Sequence, residues 1–152
     1  MLASCRRLFL HSKNKRRNKE ITMAIYHLEA QVISRGVGRS AVVASAYMSC
    51  SRMYNDYDGI QHDYTKKQGL VYKQVLLPPQ APPEWKDRCV LWNAVEEAEK
   101  SKDSRLAREF VVALPTELSK EENIALLTEY VQENFVNVNA SDKMKENAEE
   151  KM

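Results

Sequence analysis

Met23-Ala-Ile-Tyr-His-Leu28, Ser34-Arg-Gly-Val-Gly-Arg-Ser-Ala41 and Ser45-Ala-Tyr47 follow one another in a single run, and the reading of that run decides the fold. From Ile25 to Val32 the side chains alternate. Tyr26, Leu28, Ala30 and Val32 fall on one pleat face and His27, Glu29 and Gln31 on the other, which is the period of a strand. Gly36 and Gly38 break the alternation and permit positive φ. Arg35 and Arg39 flank that turn, and Ser40 is a good N-cap for the alanine-rich run after it. A cationic loop feeding a helix N-terminus suits a phosphate. Tyr47 falls two turns into the helix, on the face shared by Ser40, Val43 and Ser51.

Outward from this run the pattern continues without repeats or low-complexity linkers to residue 136. Tyr54-Asn-Asp-Tyr-Asp-Gly-Ile-Gln-His-Asp-Tyr64 is polar and turn-rich and reads as a loop, which places His62 in that loop. Leu70 to Leu77 reads as a second strand ended by Pro78 and Pro79. Pro82 and Pro83 suit the first turn of a helix on which Trp85, Cys89, Trp92 and Val95 keep helical spacing. Leu106 to Leu114 reads as a third strand, stopped by Pro115. Ser119-Lys-Glu-Glu122 has the form of a capping box, opening a helix with Ile124, Leu127, Val131 and Phe135 on one stripe. Opposite charges at i,i+3 and i,i+4 in Glu96-Glu97-Ala-Glu99-Lys-Ser-Lys102 read as an exposed helix face.

The whole run from Met23 to Tyr47 resembles the N-terminus of the MobA/MobL family of plasmid mobilisation relaxases, the DNA-nicking transesterases of conjugative transfer. Members of that family open with a strand of the type Met-Ala-(apolar)-Tyr-His-(Leu/Phe). A Ser-(Arg/Lys)-x-x-Gly-(Gln/Arg)-Ser-Ala turn follows, then a helix whose last tyrosine is the nucleophile. The matching pieces here are Met23 to Leu28, Ser34 to Ala41 and Ser45-Ala46-Tyr47. The resemblance extends through Asp63-Tyr-Thr-Lys-Lys67, Val75-Leu-Leu-Pro78, Trp92-Asn-Ala-Val-Glu96 and Ala107-Arg-Glu-Phe110 to Leu114-Pro115. Ordered agreement over residues 23–136 is far more specific than any one of these pieces.

Three strands alternating with three helices would by themselves suit a parallel βαβ sheet. The resemblance instead implies an α+β fold with the antiparallel sheet and flanking helices of the HUH relaxase palm. About three strands of some five are expected, a truncated sheet with an unpaired edge and an uncovered apolar face. Residues 1–22 are expected to be a basic N-terminal extension, disordered or spurious, and 23–136 the N-terminal part of the relaxase domain. Residues 137–152 are expected to be an unrelated, disordered polar tail.

The resemblance implies that Tyr47 is the catalytic nucleophile. A phenol is protonated at neutral pH, with an ordinary pKa of about 10, so it needs a base, a polarised phosphate or nearby cations to attack. His27, on the polar strand face, and Glu109, projecting from the third strand among apolar neighbours, are expected in supporting roles. The structural alternative for Glu109 is an ion pair with Arg108 or Arg105. Arg35, Arg39, Lys66 and Lys67 are the expected DNA contacts. Other tyrosines (Tyr26, Tyr54, Tyr57, Tyr64, Tyr72 and Tyr130) read as packing, loop or DNA-stacking residues.

The resemblance also implies a divalent metal, magnesium or manganese, held in the intact family by three histidines that include a His-x-His pair. The chain has only His11, His27 and His62, in no such pattern, so no cofactor and no metal ligands are expected in this chain itself. Expected partners are single-stranded DNA at an origin of transfer and, in the intact family, other conjugation proteins. The expected function is nicking of that DNA through a tyrosine–phosphodiester intermediate in the intact form, with this chain inactive alone. The alternatives are a non-catalytic single-stranded-DNA-binding remnant and an unrelated small interaction domain.

Composition sets limits consistent with this. The 152 residues are 43% hydrophobic and 29% charged, which suits one soluble domain. The net charge of +2 is unevenly spread. Residues 1–22 hold seven Lys or Arg against Glu20, a balance of +6, so the rest carries −4 and any DNA site there must be local. That arm reads either as stray upstream sequence or as a basic extension attracted to phosphates. Leu8-Phe-Leu10 is too short for an export signal or a membrane span, and a cytoplasmic location is expected. Cys5, Cys50 and Cys89 have no zinc spacing and make no disulfide framework.

Overall fold

The computed structural model describes the backbone of residues 7–11 and all of residues 27–137. Tyr26, the rest of the basic arm and the polar tail beyond residue 137 lie outside the described residues. In chain order the elements are β1 (Arg7–His11), β2 (Leu28–Ser34), α1 (Ala41–Met48), β3 (Arg52–Asn55), β4 (Ile60–Asp63), β5 (Leu70–Val75), α2 (Arg88–Ala98), β6 (Arg105–Val112) and α3 (Lys120–Val131). The strands form three two-stranded antiparallel ladders, β1–β5, β2–β6 and β3–β4. The fold is thus α+β with short antiparallel sheets, and the parallel βαβ order does not occur among the described residues.

Local chemistry accounts for most boundaries. Ser40 caps α1, its hydroxyl accepting from the Val43 N–H at 3.2 Å. Gly38 precedes it at φ +72°, where only glycine is unstrained. At Gly36 an added Cβ would stand 2.6 Å from the Asp103 carboxylate, so that exposed side chain would have to turn aside for any larger residue. The Ser119–Glu122 capping box opens α3, with Ser119 accepting from Glu122 N–H while Glu122 accepts from Ser119 N–H. One helix start differs from expectation. Pro83–Lys86 forms a 3-10 turn, and α2 begins only at Arg88 because the Asp87 carboxylate caps the Cys89 and Val90 N–H groups.

One further expectation is corrected. The turn-rich segment after α1 is a β-hairpin rather than a loop. Arg52 to Asn55 pairs with Ile60 to Asp63 across the four-residue turn Asp56-Tyr-Asp-Gly59, whose glycine is a hairpin signal that polar composition hid. Within the basic segment 1–22, Arg7–His11 pairs with β5. The apolar Leu8-Phe-Leu10 stretch is a competent strand sequence, and β5 offers it an open edge.

The core gathers Ile33 of β2, Ala41, Val42 and Ala46 of α1, Met53 of β3, Leu91 and Trp92 of α2 and Leu106 of β6. Val131, the last residue of α3, and Val136, at the end of the π turn Gln132–Val136 that follows, form a second small cluster with Leu127 and Phe135. The β2–β6 ladder meets this core through the face of Ile33 and Ala107. Its other face leaves Leu28, Val32, Phe110 and Val112 exposed, with Phe110 stacked on Phe135. Among the described residues β2 and β6 pair only with each other, so both outer edges are open. No described helix is long and apolar enough to cross a membrane.

Candidate functional site

One side of α1 forms a wall of an open cavity of about 560 Å³. Val43, Ala44, Tyr47 and Met48 line it at helical spacing, so the face read from the sequence is the face that the cavity uses. The opposite walls come from Gln31 of β2, Glu109 of β6, the Gly38–Ser40 turn, and Asp58, His62 and Tyr64 of the hairpin.

Tyr47 is the most exposed aromatic side chain of this wall, at 49% of its full surface. Its ring is nonetheless held. Tyr64 meets it edge-on, with centroids 5.3 Å apart and planes at 86°, and the Lys67 ammonium stands 4.2 Å above its centroid. A half-exposed phenol with its ring clamped and a cation beside it is accessible and preoriented, the two properties that a nucleophile needs.

The Glu109 side chain crosses from β6 to Arg39, 3.7 Å away. Arg39 also donates to the Gln31 side-chain carbonyl at 3.1 Å, and Gln31 donates to Glu29 at 2.6 Å. Arg39 is therefore the ion-pair partner of Glu109, not Arg108 or Arg105. Arg108 alternates to the opposite face of β6, whereas Gln31 is the cross-strand neighbour of Glu109. His27 stands further along the same polar face, exposed and 3.9 Å from Glu29, and does not line the cavity. Lys66 is exposed just beyond the hairpin.

The loop arginines separate sharply. Arg35 turns away from the cavity and into the protein, its side chain only 10% exposed. Its guanidinium donates to the backbone carbonyls of Glu96 at 2.8 Å, of Ser101 at 3.2 Å and of Glu99, closing the C-terminal end of α2. Its face lies over the Tyr57 ring, 4.5 Å from the centroid. The expected phosphate seat at the start of α1 is likewise filled from within. The buried Glu96 carboxylate accepts from the Ser40 hydroxyl and from Val42 N–H, and lies 3.9 Å from Arg35. Glu96, read as part of an exposed helix face, is 4% exposed. The missed signal was its spacing, four residues after the buried Trp92 and hence on the inward side of α2.

The described residues bring together no group of three His, Cys, Asp or Glu side chains able to hold a metal ion. The carboxylates and the histidine in the cavity are already engaged, Asp58 with His62 and Glu109 with Arg39. The described donors therefore do not fit the three-histidine site implied by the resemblance. His62, by contrast, belongs to the site. The sequence reading had put it in a loop, and the Asp-Gly turn that would have placed it on a strand was the available signal.

Comparison with known proteins gives this geometry its family. The profile of the MobA/MobL family matches residues 39–142, a span that includes α1, the hairpin, α2, β6 and α3. Conjugal transfer protein TraA of Rhizobium radiobacter is 42% identical over 125 residues, which cover 75% of this chain and 11% of that protein. Mobilization protein MobL of Acidithiobacillus ferridurans is 42% identical over 110 residues, covering 72% of this chain and 28% of that protein. A chain from the solved structure described as "Molecular Basis of Vancomycin Resistance Transfer in Staphylococcus aureus" superposes with a TM-score of 0.68 at 37% identity, covering 72% of this chain and 56% of that one. This chain thus spans about a tenth to somewhat over a quarter of these two curated relatives. A match over more than half of its length settles the assignment: the chain belongs to the MobA/MobL family of conjugative mobilisation relaxases.

Proposed function

We propose that this chain carries the nucleophile-bearing part of a DNA-nicking relaxase and that Tyr47 is the nucleophile. The single observation behind this reading is the presentation of Tyr47: half-exposed on a cavity wall, with its ring fixed by Tyr64 and a cation against it. The substrate is a single strand at an origin of transfer. The phenol oxygen attacks a backbone phosphorus and the bond to the 3′ oxygen breaks. This leaves a free 3′ hydroxyl and a 5′-phosphotyrosine ester that keeps the energy needed for religation. Arg39 at the cavity and Lys67 against the Tyr47 ring supply cations for the flanking phosphates, and Lys66, exposed beyond the hairpin, adds a third. Arg35 is left out of this set because its guanidinium is engaged inside the fold. Glu109 orients Arg39, and His27 remains at the margin of the polar face.

With the described donors unfit for a metal, strand cleavage by this chain alone is expected to be inefficient. A magnesium- or manganese-dependent cleavage that a chelator abolishes would overturn that expectation. A second reading, single-stranded-DNA binding without cleavage, has its own support in Tyr47, Tyr54 and Tyr57, all exposed, around the cavity and the hairpin.

The two readings part on a trapped intermediate. Single strands tiled across candidate origin DNA, with a sulfur in place of the bridging 3′ oxygen, supply a leaving group that needs little assistance. The nicking reading expects a covalent protein–DNA adduct on a denaturing gel, mapped by mass spectrometry to Tyr47 and lost in Tyr47→Phe with the fold intact. An adduct that survives Tyr47→Phe, or that maps to Tyr54 or Tyr57, removes Tyr47 from the role. Tight binding with no adduct on any strand favours the non-catalytic reading.

A further inference from the structure

The cavity holds one titratable pair whose function nothing above supplies. The Asp58 carboxylate lies at the hairpin turn and its Oδ1 accepts from Ile60 N–H at 2.8 Å. Its Oδ2 stands 3.4 Å from His62 Nε2. A carboxylate only accepts, so Nε2 carries the proton and Nδ1 keeps its lone pair in the neutral ring. Register fixes the direction of the imidazole. His62 is the cross-strand partner of Met53, which is buried, so His62 faces inward; its side chain is 20% exposed. Tyr64 continues the strand two residues on, its N–H donating to Ser51 C=O at 3.1 Å, and therefore points to the same side. That side is where Tyr64 clamps the Tyr47 ring, and His62 and Tyr47 line the same cavity.

We infer that His62, with its tautomer set by Asp58, is the proton acceptor for the Tyr47 phenol. The inference rests on the reading of Tyr47 as a nucleophile. In the step, the phenol oxygen forms a bond to phosphorus, and the phenol proton passes to Nδ1 of His62. The phosphorus–3′-oxygen bond breaks, and the departing oxygen takes a proton from solvent. The imidazolium later returns its proton to solvent, and nothing is oxidised or reduced. The charged groups that share this space are Asp58 on the turn, Arg39 and Glu109 on the far wall, and Lys67 beyond β4. Arg39 and Glu109 are paired with each other, which leaves Asp58 as the group that orients the ring.

The test measures Tyr47 reactivity directly, without DNA or a metal, on the full chain. An arylsulfonyl fluoride labels nucleophilic phenols, and intact-protein and peptide mass spectrometry give the rate at Tyr47 across a pH series. His62→Gln should slow labelling at neutral pH by about tenfold or more and remove the imidazole-dependent limb of the profile. Asp58→Asn should do the same while keeping size and the acceptor for Ile60 N–H. Its amide nitrogen donates, so it forces Nε2 to accept and moves the proton to Nδ1. Nitrogen-15 spectra should show His62 protonated at Nε2 in the native protein and at Nδ1 in Asp58→Asn, a change that a purely structural histidine would not couple to Tyr47 labelling. Unchanged rate and profile in both variants would overturn the inference while leaving Tyr47 as nucleophile untouched. Labelling that ignores Tyr47 in the native protein would overturn both. Slowed labelling in His62→Gln with normal labelling in Asp58→Asn would remove the orienting role of Asp58 and with it the inference as stated.

Discussion

Two arginines four residues apart on one basic loop do opposite things. Arg35 faces inward and closes the end of α2, and the carboxylate it approaches, Glu96, fills the N-terminus of α1. Arg39 faces outward across the cavity to Glu109, 40% exposed and open to an anion. The two ends of α1 differ in the same way. Its first turn is sealed by internal hydrogen bonds, and its last turn presents Tyr47 to solvent. A helix N-terminus beside arginines is a phosphate site only if no side chain of the protein has already taken the place. Here the sealed end anchors the helix, and that rigidity is what holds the exposed end in position.

The largest effect should come from breaking the sealed end. Glu96→Ala removes the acceptor for Ser40 and Val42 and leaves Arg35 as a buried, partly unpaired cation. Loss of one member of such a pair costs about 3–5 kcal/mol, so chemical denaturation should show a large drop in stability with tyrosine reactivity lost only through unfolding. Glu96→Gln keeps an acceptor and should fall between. A Glu96→Ala protein as stable as the native one would mean that the seal contributes nothing and that the phosphate seat could be open after all.

Arg39→Ala is the complementary change at the open end. It should leave stability within about 1 kcal/mol of native, since its ion pair is half-exposed. Binding of a single-stranded oligonucleotide, followed by fluorescence anisotropy across a salt series, should weaken several-fold, with the log–log salt slope reduced by about 0.7 for the lost phosphate contact. Equal affinity and slope in Arg39→Ala and native protein would take the loop out of the DNA site altogether.

How far the sequence revealed this molecule depended on whether a feature was local. The Ser40 cap, the Ser119–Glu122 capping box, the three longer strands and the face of α1 that carries Tyr47 are set by neighbours within four residues, and all were legible. The family resemblance was likewise legible in the ordered pieces, and the antiparallel pairing it implied is present. The hairpin was obscured because exposed strands with polar side chains lack apolar alternation, leaving only Asp58-Gly59 as a signal. The fate of Arg35 and Glu96 was not legible, because each is decided by a partner about sixty residues away. Charge alone could not say which of the two arginines would meet solvent.

A smaller effect tests whether a helix capped by its own residues behaves like one sealed from outside. Ser119→Ala removes the acceptor for Glu122 N–H at the exposed start of α3 and should cost about 1 kcal/mol. The loss should be confined to α3, read as faster amide exchange in its first turn with exchange in α1 unchanged. Uniform acceleration over both helices would show that α3 and the cavity wall unfold as one unit.

The smallest effect concerns the outward face of the hairpin whose inward face carries His62. Asp63 accepts from the Thr65 hydroxyl and N–H and lies 2.8 Å from Arg52. The Thr65 hydrogen bonds, aided by Arg52, lower its pKa to about 2. An unfolded aspartate titrates at about 4, so the folded state holds the charged form more firmly than the unfolded chain does. The sign follows from linkage. The contribution is fully present above the unfolded pKa and is lost as pH falls from about 4 through the folded value of about 2. The side chain is exposed at the surface, so solvent screens the interaction, and only a modest acid-limb contribution is expected. Comparing stability against pH for native protein and Asp63→Asn should therefore show curves that converge below pH about 2 and separate above about 4. Curves that run parallel from pH about 2 to about 4 would show that the bonds to Thr65 and Arg52 add nothing to the acid limb.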